Sequence, residues 1–126
     1  EGIGFAIPIK LGKIVVEKLS ANENWTPSYL GVFAIDSEMA KFQDENISDI
    51  GVYVSDVDEL SLNKDFFIKG DQIVEINGKK INSILDFKVE LYKYSSGDIL
   101  EIKVLRNEKI VEIRCSLCDR IQKKEV

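Results

Sequence analysis

Apolar and polar residues alternate in two runs toward the C-terminal end. Leu100, Ile102 and Val104 are separated by Glu101 and Lys103; Val111, Ile113, Cys115 and Leu117 are separated by Glu112, Arg114 and Ser116. A period of two marks a strand with one buried face, and Asn107-Glu108 between the runs predicts a hairpin turn. Residues 29–35, 51–57 and 72–76 read as further strands. The last returns through 79–81 after Asn77-Gly78, a pair in which both positions accept positive φ. A shorter alternation of Ile3, Phe5 and Ile7 predicts the end of a buried strand closed by Pro8.

The period changes to the helical one in two places. Over residues 9–19, Leu11, Ile14, Val15 and Leu19 share one face, while Lys10, Lys13, Glu17 and Lys18 take the other. Ser83 and Asp86 form an S-x-x-D capping box that opens a helix carrying Ile84, Phe87 and Leu91, and Gly97 ends that segment. Residues 37–46, with Met39, Ala40 and Phe42 on one side, predict a short helix. Residues 58–69, with Leu60, Leu62, Phe66, Phe67 and Ile68, predict a short helix followed by a turn. The polar stretch 22–28, which includes Pro27, predicts a loop. Strands and helices do not alternate regularly, which disfavours a βαβ sheet. The expected fold class is α+β, mainly β: a partly open barrel of five or six short strands with two to three helices at its edges.

Composition narrows the function. The 126 residues suit one domain and are 44% hydrophobic and 31% charged, ordinary values for a globular chain. A net charge of −5 without a basic cluster argues against nucleic acid as a partner. Histidine is absent, so Ser-His-Asp and Cys-His chemistry cannot be completed within this chain, and the usual catalytic zinc sites lose their main ligand. No catalytic residue, cofactor or metal is expected. Cys115-x-x-Cys118 supplies two thiolates where structural zinc takes four ligands. Cys115 is expected to face inward with Ile113 and Leu117, with a disulfide or metal as the lesser alternative. The opening Glu1-Gly2-Ile3 carries no initiator methionine or signal peptide and reads as a cut inside a longer polypeptide.

One segment carries candidate chemistry. In Tyr29-Leu30-Gly31-Val32, a glycine stands between large apolar residues just ahead of a strand. Such a turn bares backbone N–H groups beside an apolar slot, an arrangement suited to a peptide's terminal carboxylate and last side chain. Two plainer readings stand beside it: Leu30, Val32 and Leu91 as ordinary core, and Gly31 as a bulge glycine without a ligand. Asp71, after Gly70, reads as a turn residue.

The order of the pieces resembles the PDZ domain of the HtrA (Deg) family of trypsin-like serine proteases. "GIGFAIP" at the start resembles the last strand of the protease domain. After a linking helix come "YLGV", "GVYVSDV", "KGDQIVEINGKKI", "SILDFKVEL" and "GDILEIKVLRNEK", the permuted strand order of the bacterial PDZ type. Pro27 stands where that family often has Arg or Lys, and residues 60–68 replace its "SPA…AGL" stretch. The resemblance implies three segments: residues 1–28 as protease end and linker helix, 29–118 as the PDZ domain, 119–126 as a tail. It implies a carboxylate-binding loop of Tyr29, Leu30, Gly31 and Val32, and a peptide groove of Ala34, Ile84, Lys88 and Leu91; with Pro27 in place of the usual cation, the positive charge falls to Lys88 or a loop lysine. The implied partners are C-terminal peptides of other proteins and an upstream protease domain, with a homo-oligomer through that domain left open. The implied location is extracytoplasmic, by membrane anchor or secretion. A PDZ module of another membrane-associated protease or secretion component, and a non-enzymatic interaction domain with its groove filled by its own tail, are the alternatives.

Overall fold

The computed structural model describes residues 9–25, 27–37 and 50–119. The strand expected over residues 2–8 lies outside them, as does the helix expected over 37–46 beyond Ser37. The elements in chain order are α1 (Ile9–Ala21), β1 (Ser28–Tyr29), β2 (Val32–Asp36), β3 (Val52–Val57), β4 (Gln72–Ile76), β5 (Lys79–Lys80), α2 (Ile84–Tyr92), β6 (Ile99–Arg106), β7 (Lys109–Ser116) and β8 (Cys118–Asp119). Six strands form one antiparallel sheet in the order β2-β3-β4-β6-β7, with β5 folded back on β4; β1 and β8 form a separate two-stranded ladder. β2 and β7 end the sheet without pairing to each other. The architecture is mainly β and open, with two helices among the described residues.

The alternation of the C-terminal hairpin fixes its register. Leu100 faces Cys115, Ile102 faces Ile113 and Val104 faces Val111, so these apolar residues share the face toward the core, while Ile99 and Ile110 on the other positions stay exposed. Asn107 and Glu108 turn the chain with φ of 52° and 67°, the geometry of a two-residue hairpin loop. Asn77 (φ 49°) and Gly78 (φ 83°) do the same between β4 and β5. Asn77 also exchanges bonds with Glu101, its N–H donating to the Glu101 carbonyl at 2.7 Å and its Oδ1 accepting the Glu101 N–H at 2.8 Å.

The core runs between the sheet and α2. Leu30, Val52, Val54, Ile73, Ile76, Leu100, Ile102 and Val104 have almost no exposure, and Phe67, Phe87, Leu91 and Leu117 complete the cluster. Truncating one of the large members to Ala typically costs about 2–5 kcal/mol. Ser83 caps α2 as its sequence predicts, its Oγ accepting the Asp86 N–H at 3.0 Å. The return bond goes to Asn82, one residue before the cap, whose N–H donates to Asp86 Oδ2 at 3.0 Å. α1 packs across α2. Lys18 Nζ donates to the Lys93 carbonyl at 2.9 Å, and the Trp25 ring meets Tyr92 edge-on at 6.0 Å.

Two local expectations differ from the structure. The strand expected over 29–35 is broken into β1 and β2, because Gly31 takes φ +98°, which no strand continues. β1 then pairs with β8 and β2 with β3. Residues 58–69 form consecutive turns and no helix. Side chains there outcompete the helical ladder: Asp58 Oδ1 accepts the Leu60 N–H at 2.9 Å, and Ser61 Oγ accepts the Asn63 N–H at 3.0 Å. The segment is clamped at its end by Asp71, which is almost wholly buried. Asp71 takes two bonds of 2.8 Å from Arg106 of β6, and its Oδ2 also accepts the Ile68 N–H at 2.9 Å. Those bonds from Asp71 hold the Arg106 guanidinium above its usual pKa.

Candidate functional site

The site begins where β1 gives way to β2. Tyr29, Leu30, Gly31 and Val32 are all buried, and each of the first three residues has its carbonyl held from inside the fold. Cys118 Sγ donates to the Tyr29 carbonyl at 3.3 Å, Asn63 Nδ2 to the Leu30 carbonyl at 2.9 Å, and the Asp58 N–H to the Gly31 carbonyl at 2.9 Å. In a trans peptide unit the C=O and the following N–H point in opposite directions. The N–H groups of Leu30, Gly31 and Val32 are therefore aimed away from these partners. Neither the Leu30 nor the Gly31 N–H meets an acceptor among the described residues.

Glycine is required at this turn on two grounds. Its φ of +98° is costly for any residue with a Cβ. A Cβ would also collide with the Ser61 hydroxyl and come within 2.7 Å of the Ser61 Cβ. Gly70, Gly78 and Gly97 share the positive φ but face open space.

β2 continues from the turn as an edge strand. Its partner β3 carries a bulge: Phe33 faces Asp56 and Ala34 faces Val54, leaving Ser55 as the extra residue. Ser55 Oγ donates to the Phe33 carbonyl at 3.0 Å, so the Phe33 backbone faces β3. Backbone groups alternate sides along a strand, which turns Val32 and Ala34 toward the open edge. α2 lies on this side, in contact with both β1 and β2. Ser28 fixes the helix end through its hydroxyl, which donates to the Leu91 carbonyl at 3.1 Å and the Tyr94 carbonyl at 3.2 Å.

The expected groove residues fall at different depths. Ala34 and Ile84 are half-buried against the core, Lys88 is exposed on α2, and Leu91 is buried beside Phe87. Leu30 has no exposure at all and Val32 very little, so their side chains floor the turn from within the core. The Tyr29 hydroxyl donates to Asp58 Oδ2 at 3.2 Å, and its ring lies 6.3 Å from that of Phe33. Cys115 and Cys118 are both free thiols. Burial, aided by Cys118, pushes the Cys115 thiol up to about 11.

Asp58, Ser61 and Asn63 do not stand out in the sequence as site residues. The available signal is the alternation of Ser61 and Asn63 with Leu60 and Leu62. Ser61 and Asn63 prove buried while the two leucines are exposed, the reverse of what hydropathy suggests.

The described residues thus form an open antiparallel sheet whose first edge strand follows a glycine turn, with a capped helix beside that edge. The sequence model of the PDZ domain matches residues 28–117, and the chain belongs to that family. It is similar to the serine protease Do-like HtrB of Bacillus subtilis, with 35% identity over 93% of this chain and 28% of that protein. Similar too is the serine protease Do-like HtrA of the same organism, at 31% over 98% of this chain and 30% of that one. A probable periplasmic DegP-like serine endoprotease of Chlamydia muridarum matches at 34% over 89% of this chain and 23% of the relative. The chain thus spans between about a quarter and a third of the length of these relatives. Among solved structures, the HtrA-type protease AlgW with decapeptide has the same fold, with a TM-score of 0.71 at 21% identity over 94% of this chain and 37% of that one.

Proposed function

We propose that the turn at Leu30-Gly31, the free edge of β2 and the facing side of α2 bind the C-terminal end of another polypeptide. The ligand adds to β2 as an antiparallel strand, bonded through the outward backbone of Val32 and Ala34. Its terminal carboxylate accepts from the N–H groups of Leu30, Gly31 and Val32, which act as a small anion nest. Its last side chain rests on the apolar surface of Ala34 and Ile84 above Leu91, so the ligand ends in Val, Leu, Ile or Phe. Lys88 supplies the nearby positive charge. The observation that carries this reading is the pair of unpaired N–H groups, on Leu30 and Gly31, beside an open sheet edge.

The likeness to these relatives supports a setting for the module: a regulatory or substrate-recruiting unit of an HtrA-like serine protease outside the cytoplasm, with proteolysis carried by another part of the parent protein. The chain itself holds no histidine from which a triad could be built. Among the described residues no helix is long and apolar enough to cross a membrane.

Fluorescence anisotropy with labelled decapeptides ending in an apolar residue tests the reading. Charge-assisted bonds to the carboxylate contribute roughly 1.5–3 kcal/mol each, so amidating the terminus is expected to weaken binding about ten- to a hundredfold. Equal affinity for the acid and the amide, or preference for an internal sequence, overturns it.

A further inference from the structure

We infer that Asn63 is the positioning residue of this site: its side-chain amide sets the direction of the Gly31 N–H and thereby the grip of the turn on a carboxylate. The inference rests on the peptide-end reading above and adds a residue to it.

Asn63 is 3% exposed, yet it lies in a turn segment on the molecule's surface side, between the exposed Leu62 and Lys64. Its Nδ2 spends both hydrogens on backbone carbonyls, that of Leu30 at 2.9 Å and that of Ser116 at 2.8 Å. The first bond fixes the Leu30-Gly31 peptide plane, and the second ties that plane to the end of β7. Asn63 is itself held, since its N–H donates to Ser61 Oγ at 3.0 Å. Ser61 in turn packs under the glycine, where a Cβ would strike it.

The planes on either side do not need this residue. Cys118 holds the Tyr29 carbonyl and the backbone of Asp58 holds that of Gly31. Only the central plane depends on a side-chain amide, and its N–H is the middle donor of the three. Replacing the amide by a carboxylate of the same shape would place an acceptor against the Leu30 carbonyl. The plane would then rotate away from it and carry the Gly31 N–H out of line.

The test compares the wild-type chain with Asn63→Asp and with Asn63→Ala, which introduces no charge. The probe is a set of labelled decapeptides ending in Val, Leu, Ile or Phe, each as free acid and as amide. Asn63→Asp is expected to weaken acid binding tenfold or more while amide binding changes less than twofold. Asn63→Ala is expected to lie between it and wild type. Equal losses for acid and amide, or an unchanged ratio in a folded variant, overturn the assignment.

Two NMR measurements need no ligand. The wild-type chain should show a through-hydrogen-bond coupling from Asn63 Nδ2 to the Leu30 carbonyl carbon, and its absence overturns the assignment even if both variants fail to fold. The Gly31 N–H dipolar coupling should change in Asn63→Asp while those of β6 and β7 do not; an unchanged value overturns it too. If wild type binds acid and amide equally, the peptide-end reading fails, and the orientation measurements still decide the role of Asn63.

Discussion

The sheet has two edges, β2 and β7, and they differ in what surrounds them. Along β7 the exposed positions carry Lys109, Glu112 and Arg114 beside Ile110, and charged side chains on an edge discourage the addition of another strand. Along β2 the sequence is Val-Phe-Ala-Ile before Asp36, a helix lies alongside, and the turn at its start leaves two N–H groups unpaired. What separates them is the side chains on the strand and the architecture around it.

The largest expected effect separates a buried ion pair at the interior strands β4 and β6 from an exposed pair reaching the β7 edge. Asp71 is 1% exposed against Arg106, whereas Arg114 and Glu101 are 70% and 72% exposed in their 3.0 Å pair on β7 and β6. Asp71→Ala leaves a cation without its buried partner and should cost about 3–5 kcal/mol. Arg114→Ala should cost under about 1 kcal/mol. Urea unfolding of both variants measures the difference, and similar costs would mean that burial of the Asp71–Arg106 pair carries no special weight.

Glycine substitution sharpens the same comparison. Gly31→Ala meets both the left-handed φ and the Ser61 side chain, for an expected loss of about 2–4 kcal/mol. Gly78→Ala meets only the φ, for about 1–2 kcal/mol. Adding Ser61→Gly to Gly31→Ala should recover the steric part and leave the φ part. No recovery would show that the collision is relieved in some other way.

On the inner face of β7, Cys115 gives the edge a pH signature. Its thiol is pushed from an ordinary value of 9.0 to about 11, so folding favours the protonated form. Its contribution is whole below pH ~9, fades as the unfolded thiol ionises, and is gone above pH ~11, a loss of about 2–3 kcal/mol. Chemical unfolding at pH 8 and pH 10.5 should show this slope, reduced in Cys115→Val; an identical slope in the variant removes the cysteine as its source.

The smallest expected change in stability lies at the open edge itself. Ala34 turns its N–H outward, where proline is tolerated. Ala34→Pro should stay within about 1 kcal/mol of wild type while weakening peptide binding roughly tenfold through one lost bond. Binding left intact would move the added strand elsewhere.

Much of this protein was legible residue by residue. The paired alternation from Leu100 to Leu117, the two-residue turns at Asn77-Gly78 and Asn107-Glu108, and the Ser83 cap each follow from local physics: one buried face, accessible positive φ, a hydroxyl within reach of an N–H. Gly31 was visible as a special position for the same reason. Residues 58–69 were not, because their apolar content suggested a helix, while the outcome depended on Asp58 and Ser61 capturing nearby N–H groups.

The sequence by itself thus determined most of the strands, the two-residue turns and the cap of α2, since these are settled among neighbours a few residues apart. Tertiary structure alone decided which edge stays open, that β1 leaves the main sheet to meet β8, and that Asn63 reaches Leu30 and Ser116. Those outcomes join residues 33, 53 and 89 positions apart, and no local pattern encodes which distant carbonyl an amide will find.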